Sequence, residues 1–132
     1  MLYFTYKNKK STDFGLMIYE SNYLGCSERN IENIEVPGRN GNLLVDYGNF
    51  KNYQLTFNCD IKGKNLDEVS MGLKNWLQTD FKYSNLDIYR NEVKVKTFSA
   101  TYISKLEIDE VANNYGEVIL TFECEPVGVV NT

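Results

Sequence analysis

The chain has 132 residues, of which 42% are hydrophobic and 24% charged, with a net charge of −4 and no histidine. This length suffices for the core of one globular domain without disulfides, and the scattered charges form no basic stripe, which argues against sequence-specific nucleic-acid binding. Without histidine, no Ser-His-Asp or Cys-His site is possible, and the commonest metal ligand is missing.

The first half of the chain predicts short strands. Alternating apolar residues predict strands at Leu2–Tyr6 and Phe14–Glu20, separated by a polar turn, whereas Ser21–Asn30 has no period and predicts a loop. The clearest period of two runs over Tyr53–Asp60, which predicts a strand with one buried and one solvated face. The buried face would carry Tyr53, Leu55, Phe57 and Cys59.

A segment rich in Pro, Gly and Asn lies between these strands, at 36–44. Pro37 fixes its own φ, and Gly38 and Gly41 accept positive φ. Asn40-Gly41 is typical of a primed hairpin turn. This turn would hold Arg39 at its tip, where a planar guanidinium can reach a carboxylate or carbonyl of another surface. The flanking strands are predicted at 33–36 and 43–47, with a further turn at 48–49.

One amphipathic helix is predicted over about residues 66–80. Asn65 is a suitable N-cap, and Glu68 stands three residues on, in the capping-box position. The apolar residues recur at intervals of three and four, which makes one stripe of Leu66, Val69, Leu73, Trp76 and Leu77. We expect Trp76 and Leu77 to be the core anchor that holds this helix on a sheet.

The second half of the chain again predicts strands. They are expected at 86–89, 93–98, 100–108 and 118–125, with a turn at 113–116 and with Pro126 ending the last strand. Many short strands with frequent turns indicate a β-sandwich or barrel. The predicted fold class is therefore mainly β: a β-sandwich of antiparallel strands with one amphipathic α-helix packed on it.

No residue pattern predicts catalysis or a cofactor. The remaining acid pairs, Asp67/Glu68, Asp109/Glu110 and Glu123/Glu125, have the sequence positions of helix-capping and solubilising residues, so we expect no catalytic, cofactor-binding or metal site. Three widely spaced cysteines, Cys26, Cys59 and Cys124, predict free thiols in a reducing cytosol. The amino terminus does not have the pattern of a signal peptide, and no apolar run is long enough to cross a membrane.

Four motifs, in order and spacing, resemble the amino-terminal, ring-forming domain of the siphophage distal tail protein family. They are Ser11-Thr12-Asp13-Phe14-Gly15-Leu16, Val36-Pro37-Gly38-Arg39-Asn40-Gly41, Trp76-Leu77 and Phe122-Glu123-Cys124-Glu125-Pro126. The resemblance implies a tail-tube-like β-sandwich domain over residues 1–126, with a short tail at 127–132. Family members usually continue into a second domain after the closing Pro, so the chain fits either a minimal member or a fragment.

The resemblance also implies the function. Copies would close into a homo-hexameric ring at the distal end of a virion tail, assembled in the host bacterial cytoplasm. This ring would join the tail tube protein to the tail-tip hub or another tail-associated protein of a phage, a prophage or a tail-like particle. No enzymatic activity, sequence-specific nucleic acid or membrane partner is implied. The alternative is a glycan-binding β-sandwich module, because exposed tyrosines can stack on sugars.

The segment from Val36 to Tyr47 is expected to be an intersubunit arm. Leu43, Leu44 and Val45 are three consecutive apolar residues that an isolated arm would leave in water, and a neighbouring subunit would bury them. Each subunit would give its arm to the next, a head-to-tail contact that closes when the rotation per subunit is about 60°. The expected interface residues are Val36, Pro37, Gly38, Arg39, Asn40, Gly41, Leu43 and Leu44.

Overall fold

The computed structural model describes residues 1–78 and 82–126, which form ten strands, one α-helix and one short 3-10 helix at Ser11–Phe14. The α-helix, α1, spans Leu66–Leu77. The strands are β1 (Leu2–Tyr6), β2 (Lys9–Lys10), β3 (Leu16–Ser21), β4 (Arg29–Ile34), β5 (Leu43–Phe50), β6 (Tyr53–Lys62), β7 (Ser84–Arg90), β8 (Val93–Tyr102), β9 (Ile108–Ala112) and β10 (Tyr115–Cys124).

Eight strands form one antiparallel sheet that folds over on itself. Its order is β2-β1-β7-β8-β10-β6-β3, with β9 also paired to β10. The Phe4 ring on β1 stacks on Phe57 of β6 at 4.5 Å and meets the edge of Phe122 on β10 at 5.6 Å. These strands lie far apart in the sheet order, so the sheet encloses a core between two facing layers. The predicted mainly β fold, a sandwich with one helix, is confirmed.

Helix α1 packs on this core through the predicted stripe. The Asn65 side chain accepts a hydrogen bond from the Asp67 N–H at 3.1 Å, as expected of an N-cap. Trp76 is 3% exposed, and its indole Nε1–H donates to the Tyr6 carbonyl at 2.6 Å. Leu77 is fully buried and ends the helix. The predicted end at residues 79–80 and the predicted tail at 127–132 lie outside the described residues.

Several local predictions were wrong at strand ends. The strand predicted at 33–36 begins earlier and ends earlier, because β4 spans Arg29–Ile34 and residues 35–36 already lead into the turn, so the predicted loop at 21–30 is also too long. Phe14 belongs to the 3-10 helix rather than to β3, because Gly15 takes a left-handed φ of +74° and breaks the strand there. The predicted run 100–108 is divided, since β8 ends at Tyr102 and β9 begins at Ile108. Tyr115 and Gly116 lie in β10, and the turn before them holds a positive φ of +62° at Asn114.

Candidate assembly surface

Strands β4 and β5 form a separate two-stranded sheet, here called the arm (residues 29–50). The arm is inserted between β3 and β6, which are hydrogen-bonded neighbours in the large sheet. Within the described residues, β4 and β5 pair only with each other. We call the large sheet together with α1 the body. The arm therefore projects from one end of the β3–β6 pair instead of packing in the body's core.

The tip of the arm is a β-turn centred on Pro37 and Gly38. The Arg39 N–H donates to the Val36 carbonyl at 3.3 Å, and Gly38 has a φ of +78°, the pattern of a type II turn. The predicted primed turn at Asn40-Gly41 was wrong. Both primed types need positive φ at the first central residue, here Asn40, and of these two residues only Gly41 has it, at +85°.

The expected interface residues all lie on or beside this tip, and most of them are exposed. Val36 is half-buried, whereas the backbone and side chains from Pro37 to Leu44 face solvent. No hydrogen bond or ion pair joins the Arg39 guanidinium to any residue in 1–78 or 82–126. The tip thus offers a free cation and, in Leu43 and Leu44, two exposed apolar side chains.

The base of the arm is held by a bidentate ion pair. Arg29 donates from Nε and from a terminal nitrogen to the two carboxylate oxygens of Asp46, both at 3.0 Å. The Arg29 guanidinium also lies 5.1 Å from the centre of the Phe50 ring. The hydrogen bond from Arg29, followed by one from the Gly48 N–H, lowers the pKa of the Asp46 carboxyl. Asp46 is therefore ionised at neutral pH, and the pair joins the two strands.

Gly48 and Asn49 do not form the predicted turn between two elements. They lie inside β5, where the pairing shifts from Arg29 opposite Phe50 to Ile31 opposite Asp46. Gly48 has a φ of +82°, and its N–H donates to Asp46 Oδ1 at 2.9 Å. The glycine thus forms a bulge, which lets β5 continue to Phe50 and strengthens the local twist of the ribbon.

Both faces of the arm carry apolar side chains that its own chain leaves in solvent. Because residues directly opposite each other share a face, Leu43 lies with Ile34, and Leu44 lies on the other face, the face of Ile31. Leu44 is 63% exposed, Ile31 45% and Leu43 40%. A two-stranded ribbon with a wet apolar residue on each face is marginally stable alone, so both faces are suited to packing against another molecule.

The root of the arm is fixed to the body by Asn22. Its side-chain amide donates to the Gln54 carbonyl at 2.9 Å and accepts from the Thr56 N–H at 2.8 Å. The Asn22 side chain thereby continues the hydrogen bonding between β3 and β6 beyond Ser21, the last residue of β3. The Tyr53 hydroxyl donates to the Asn22 carbonyl, which holds the returning chain against the departing one.

Sequence reasoning missed the residues that hold the arm. Arg29 and Asn22 fall in the segment that was predicted to be loop, and Asp46 had no assigned role. Arg29 and Asp46 are 17 residues apart, and Asn22 reaches partners 32 and 34 residues away. No spacing rule links such positions, and with Arg29 assigned to a loop, its pairing with Asp46 across two strands gave no detectable signal.

The buried cysteines and the acid pairs form no reactive cluster among the described residues. Burial raises the pKa of the Cys59 and Cys124 thiols to about 12, which keeps them protonated, while Cys26 is exposed. In residues 1–78 and 82–126, no three His, Cys, Asp or Glu side chains are placed to hold a metal ion. In the same part of the chain, no helix has the length and apolarity needed to span a membrane.

Comparison with known proteins identifies a structural neighbour. No protein-family model and no curated protein matches the sequence. Among solved structures, the fold is similar to that of the SPP1 Dit (gp 19.1) protein, described as a paradigm of the hub adsorption apparatus in phages that infect Gram-positive bacteria. The TM-score is 0.72 at 15% sequence identity, over 95% of this chain. The chain spans 50% of the length of that protein. At this identity, the likeness is one of fold.

Proposed function

We propose that this chain is a structural subunit of a phage tail, a non-enzymatic ring component at its distal end. In this proposal, residues 1–126 form one ring-building domain, and copies associate head to tail through the arm. The ring joins the tail tube protein to the tail-tip hub or a tail-associated protein, and it assembles in the cytoplasm of the bacterial host. A phage, a prophage or a tail-like particle would use the same subunit contact.

The arm is the observation that carries this proposal. It holds exposed apolar residues on both faces and, at its tip, an arginine that no described residue pairs with, and it projects from a fold similar to that of a phage hub protein. A monomer gains nothing from exposing Leu43 and Leu44, whereas a ring buries them at every joint. A contact between two different surfaces of the same chain closes into a ring when its rotation divides a full turn, as the family resemblance implies.

The proposal is tested by comparing two substitutions at equally exposed positions. Leu44 in the arm and Val93 at the start of β8 are both 63% exposed. We expect wild-type protein at high concentration to form rings by negative-stain imaging and light scattering. Leu44→Asp, or deletion of Gly38 to Leu44, should leave a folded monomer, whereas Val93→Asp should still form rings.

Two outcomes would overturn the proposal. One is wild-type protein that stays monomeric up to its solubility limit. The other is Leu44→Asp protein that assembles as well as the Val93→Asp control. A monomer that binds bacterial cell-wall polysaccharide would instead support the glycan-binding alternative.

A further inference from the structure

We propose that the tip of the arm docks on the outer face of β3, β6 and β10 of a second copy of this chain, with Arg39 facing Glu117 and with Leu43 or Leu44 covering Tyr19 and Ile119. This surface is called the Tyr19–Ile119 face below. The inference rests on the proposed function, because it names the surface that receives the arm. The observations that support it are the exposed side chains of that face, the register of its strands and its charged residues.

The Tyr19–Ile119 face is an apolar patch on the solvated side of the sheet. Tyr19 is 59% exposed, Ile119 58% and Met17 44%. Tyr19 and Ile119 lie on β3 and β10, two strands separated by β6, and they line one shallow depression of about 280 Å³. A depression of this size accepts a leucine side chain. The other residues on this solvated side of β6 and β10 are mostly polar. The exposed apolar residues among them are therefore suited to contact with another molecule.

Acidic residues surround this apolar patch. The strand register places Met17, Asp60, Glu117 and Asp109 in one row across β3, β6, β10 and β9. The only lysine of the depression, Lys105, pairs with Glu107 at 3.1 Å. No ion pair joins Glu117 to a described residue. The pKa of Tyr19 is raised first by desolvation and then by the charges of Glu117, Asp60 and Glu20. The face therefore favours an incoming cation.

The tip of the arm has the complementary chemistry. Arg39 is the only charged residue between Val36 and Val45, and its guanidinium is unpaired within the described residues. Leu43 and Leu44 follow it on the returning strand. A guanidinium beside a leucine matches a carboxylate beside an apolar depression, and Arg fits a carboxylate in a bidentate fork.

A second exposed apolar strand surface, on β8, matches the arm poorly. Val93 and Val95 on β8 are 63% and 46% exposed, but the carboxylate of Asp87 on the neighbouring strand β7 is already engaged: Thr97 donates to it at 2.6 Å, and Lys94 Nζ lies 3.9 Å from it. It is therefore less available to Arg39 than the Glu117 carboxylate. The arm also makes no side-chain hydrogen bond or ion pair with β3, β9 or β10 of its own chain among the described residues. The arm and the face that would receive it are thus different surfaces of one molecule, as a head-to-tail contact requires.

A charge exchange tests the pairing of Arg39 with Glu117. Arg39→Glu alone and Glu117→Arg alone should each raise the concentration needed for ring formation by about tenfold or more, because each replaces attraction by repulsion. The double variant should return to within about threefold of wild type. Glu92→Arg, an exposed acid at the β7–β8 turn, is the matched control and should leave assembly unchanged.

A disulfide between two distinguishable chains tests the contact directly. Leu43→Cys or Leu44→Cys on a tagged chain is mixed with Ile119→Cys on an untagged chain, both with Cys26→Ser, because Cys26 is the exposed native thiol. Oxidation should link tagged to untagged protein. A Val93→Cys acceptor in place of Ile119→Cys should not become linked, since a disulfide needs Cα atoms within roughly 7 Å.

The outcomes separate this inference from the proposed function. If arm variants abolish rings but the double variant is not rescued and Ile119→Cys is not linked, the arm docks elsewhere, and only the Tyr19–Ile119 face is wrong. If neither Leu44→Asp nor Arg39→Glu affects assembly, the proposed function itself fails. Rescue by the double variant together with the tagged-to-untagged disulfide establishes both.

Discussion

The body and the arm are stabilised by different contacts. In the body, the rings of Phe4, Trp76 and Phe122 belong to a network with neighbouring centres 4.5 to 6.2 Å apart, and each of the three residues is at most 3% exposed. In the arm, Leu44 is 63% exposed and Tyr47 55%. The arm instead relies on strand pairing, the Arg29–Asp46 ion pair and the hydrogen bond from the Tyr47 hydroxyl to Glu32.

This difference separates folding from assembly. Burial of aromatic rings supplies most of the stability of a domain, whereas exposed ion pairs contribute about 0–1 kcal/mol each. Changes in the arm should therefore hardly affect global unfolding, and changes in the body should dominate it. The protein contains a single tryptophan, Trp76, so tryptophan fluorescence reports on the body alone.

The largest effect is expected from Trp76→Ala. The indole stacks on Phe14 at 4.6 Å and on Phe4 at 5.6 Å, and its removal leaves a cavity and takes away the hydrogen bond that the Tyr6 carbonyl accepts from the indole. We expect the free energy of unfolding to fall by about 3–5 kcal/mol, measured by denaturation followed by circular dichroism. The exposed Leu24→Ala is the control. An unchanged midpoint for Trp76→Ala would mean that the helix does not anchor the core.

A pair of glycines gives a smaller and sharper test of the comparison. Gly15 and Gly38 have similar φ values of +74° and +78°, so an alanine is strained by about 1–2 kcal/mol at either position. At Gly15 the new Cβ would also overlap the Lys62 carbonyl oxygen, whereas at Gly38 nothing lies within 4 Å. Gly15→Ala should lower the stability of the body by more than about 2 kcal/mol.

Gly38→Ala should leave unfolding of the body within about 0.5 kcal/mol of wild type, because its strain falls on the arm. Denaturation followed by Trp76 fluorescence measures both variants. Equal shifts for the two variants would show that arm and body unfold as one unit.

The smallest effect is expected from low pH, which should destabilise the arm. Because the pKa of Asp46 is lower in the folded arm than in an unfolded chain, ionisation of Asp46 stabilises the arm. This contribution is complete above the unfolded value of about 4 and is lost as the pH falls through the lower folded pKa. Amide signals of residues 29–50 in nuclear magnetic resonance spectra should lose dispersion there, while Trp76 fluorescence changes less. Asp46→Asn should remove this pH dependence; its persistence would assign it to another group.

The features that could be predicted from the sequence are those set by residues close together in the chain. The N-cap at Asn65 and the alternation of β6 and β10 are local signals, so the helix start and the buried strand faces were predicted correctly. The arm turn was wrong because two turn signals stand next to each other. Pro37-Gly38 forms its turn with positive φ at a single glycine, whereas a primed turn would also require it at Asn40.

The contacts at the root of the arm join residues far apart in the chain, and no local pattern marks them. The face proposed to receive the arm had an unused signal, since Ile119 is an apolar residue on the strand face that was assigned to solvent. Where the arm docks depends on a second molecule, which the periodicity of one chain does not encode.

The Asn22 contacts also determine how a mechanical load enters the molecule. A neighbour that pulls on the arm pulls on β3 and β6 from the same end, because the arm leaves from Ser21 and returns at Tyr53. Such a pull opens a strand pair one hydrogen bond at a time, starting at that end. The first bonds to bear the force are those of the Asn22 side chain to Gln54 and Thr56. In the proposed ring, the contacts of Asn22, including the bond that its carbonyl accepts from the Tyr53 hydroxyl, would therefore bear an intersubunit load first.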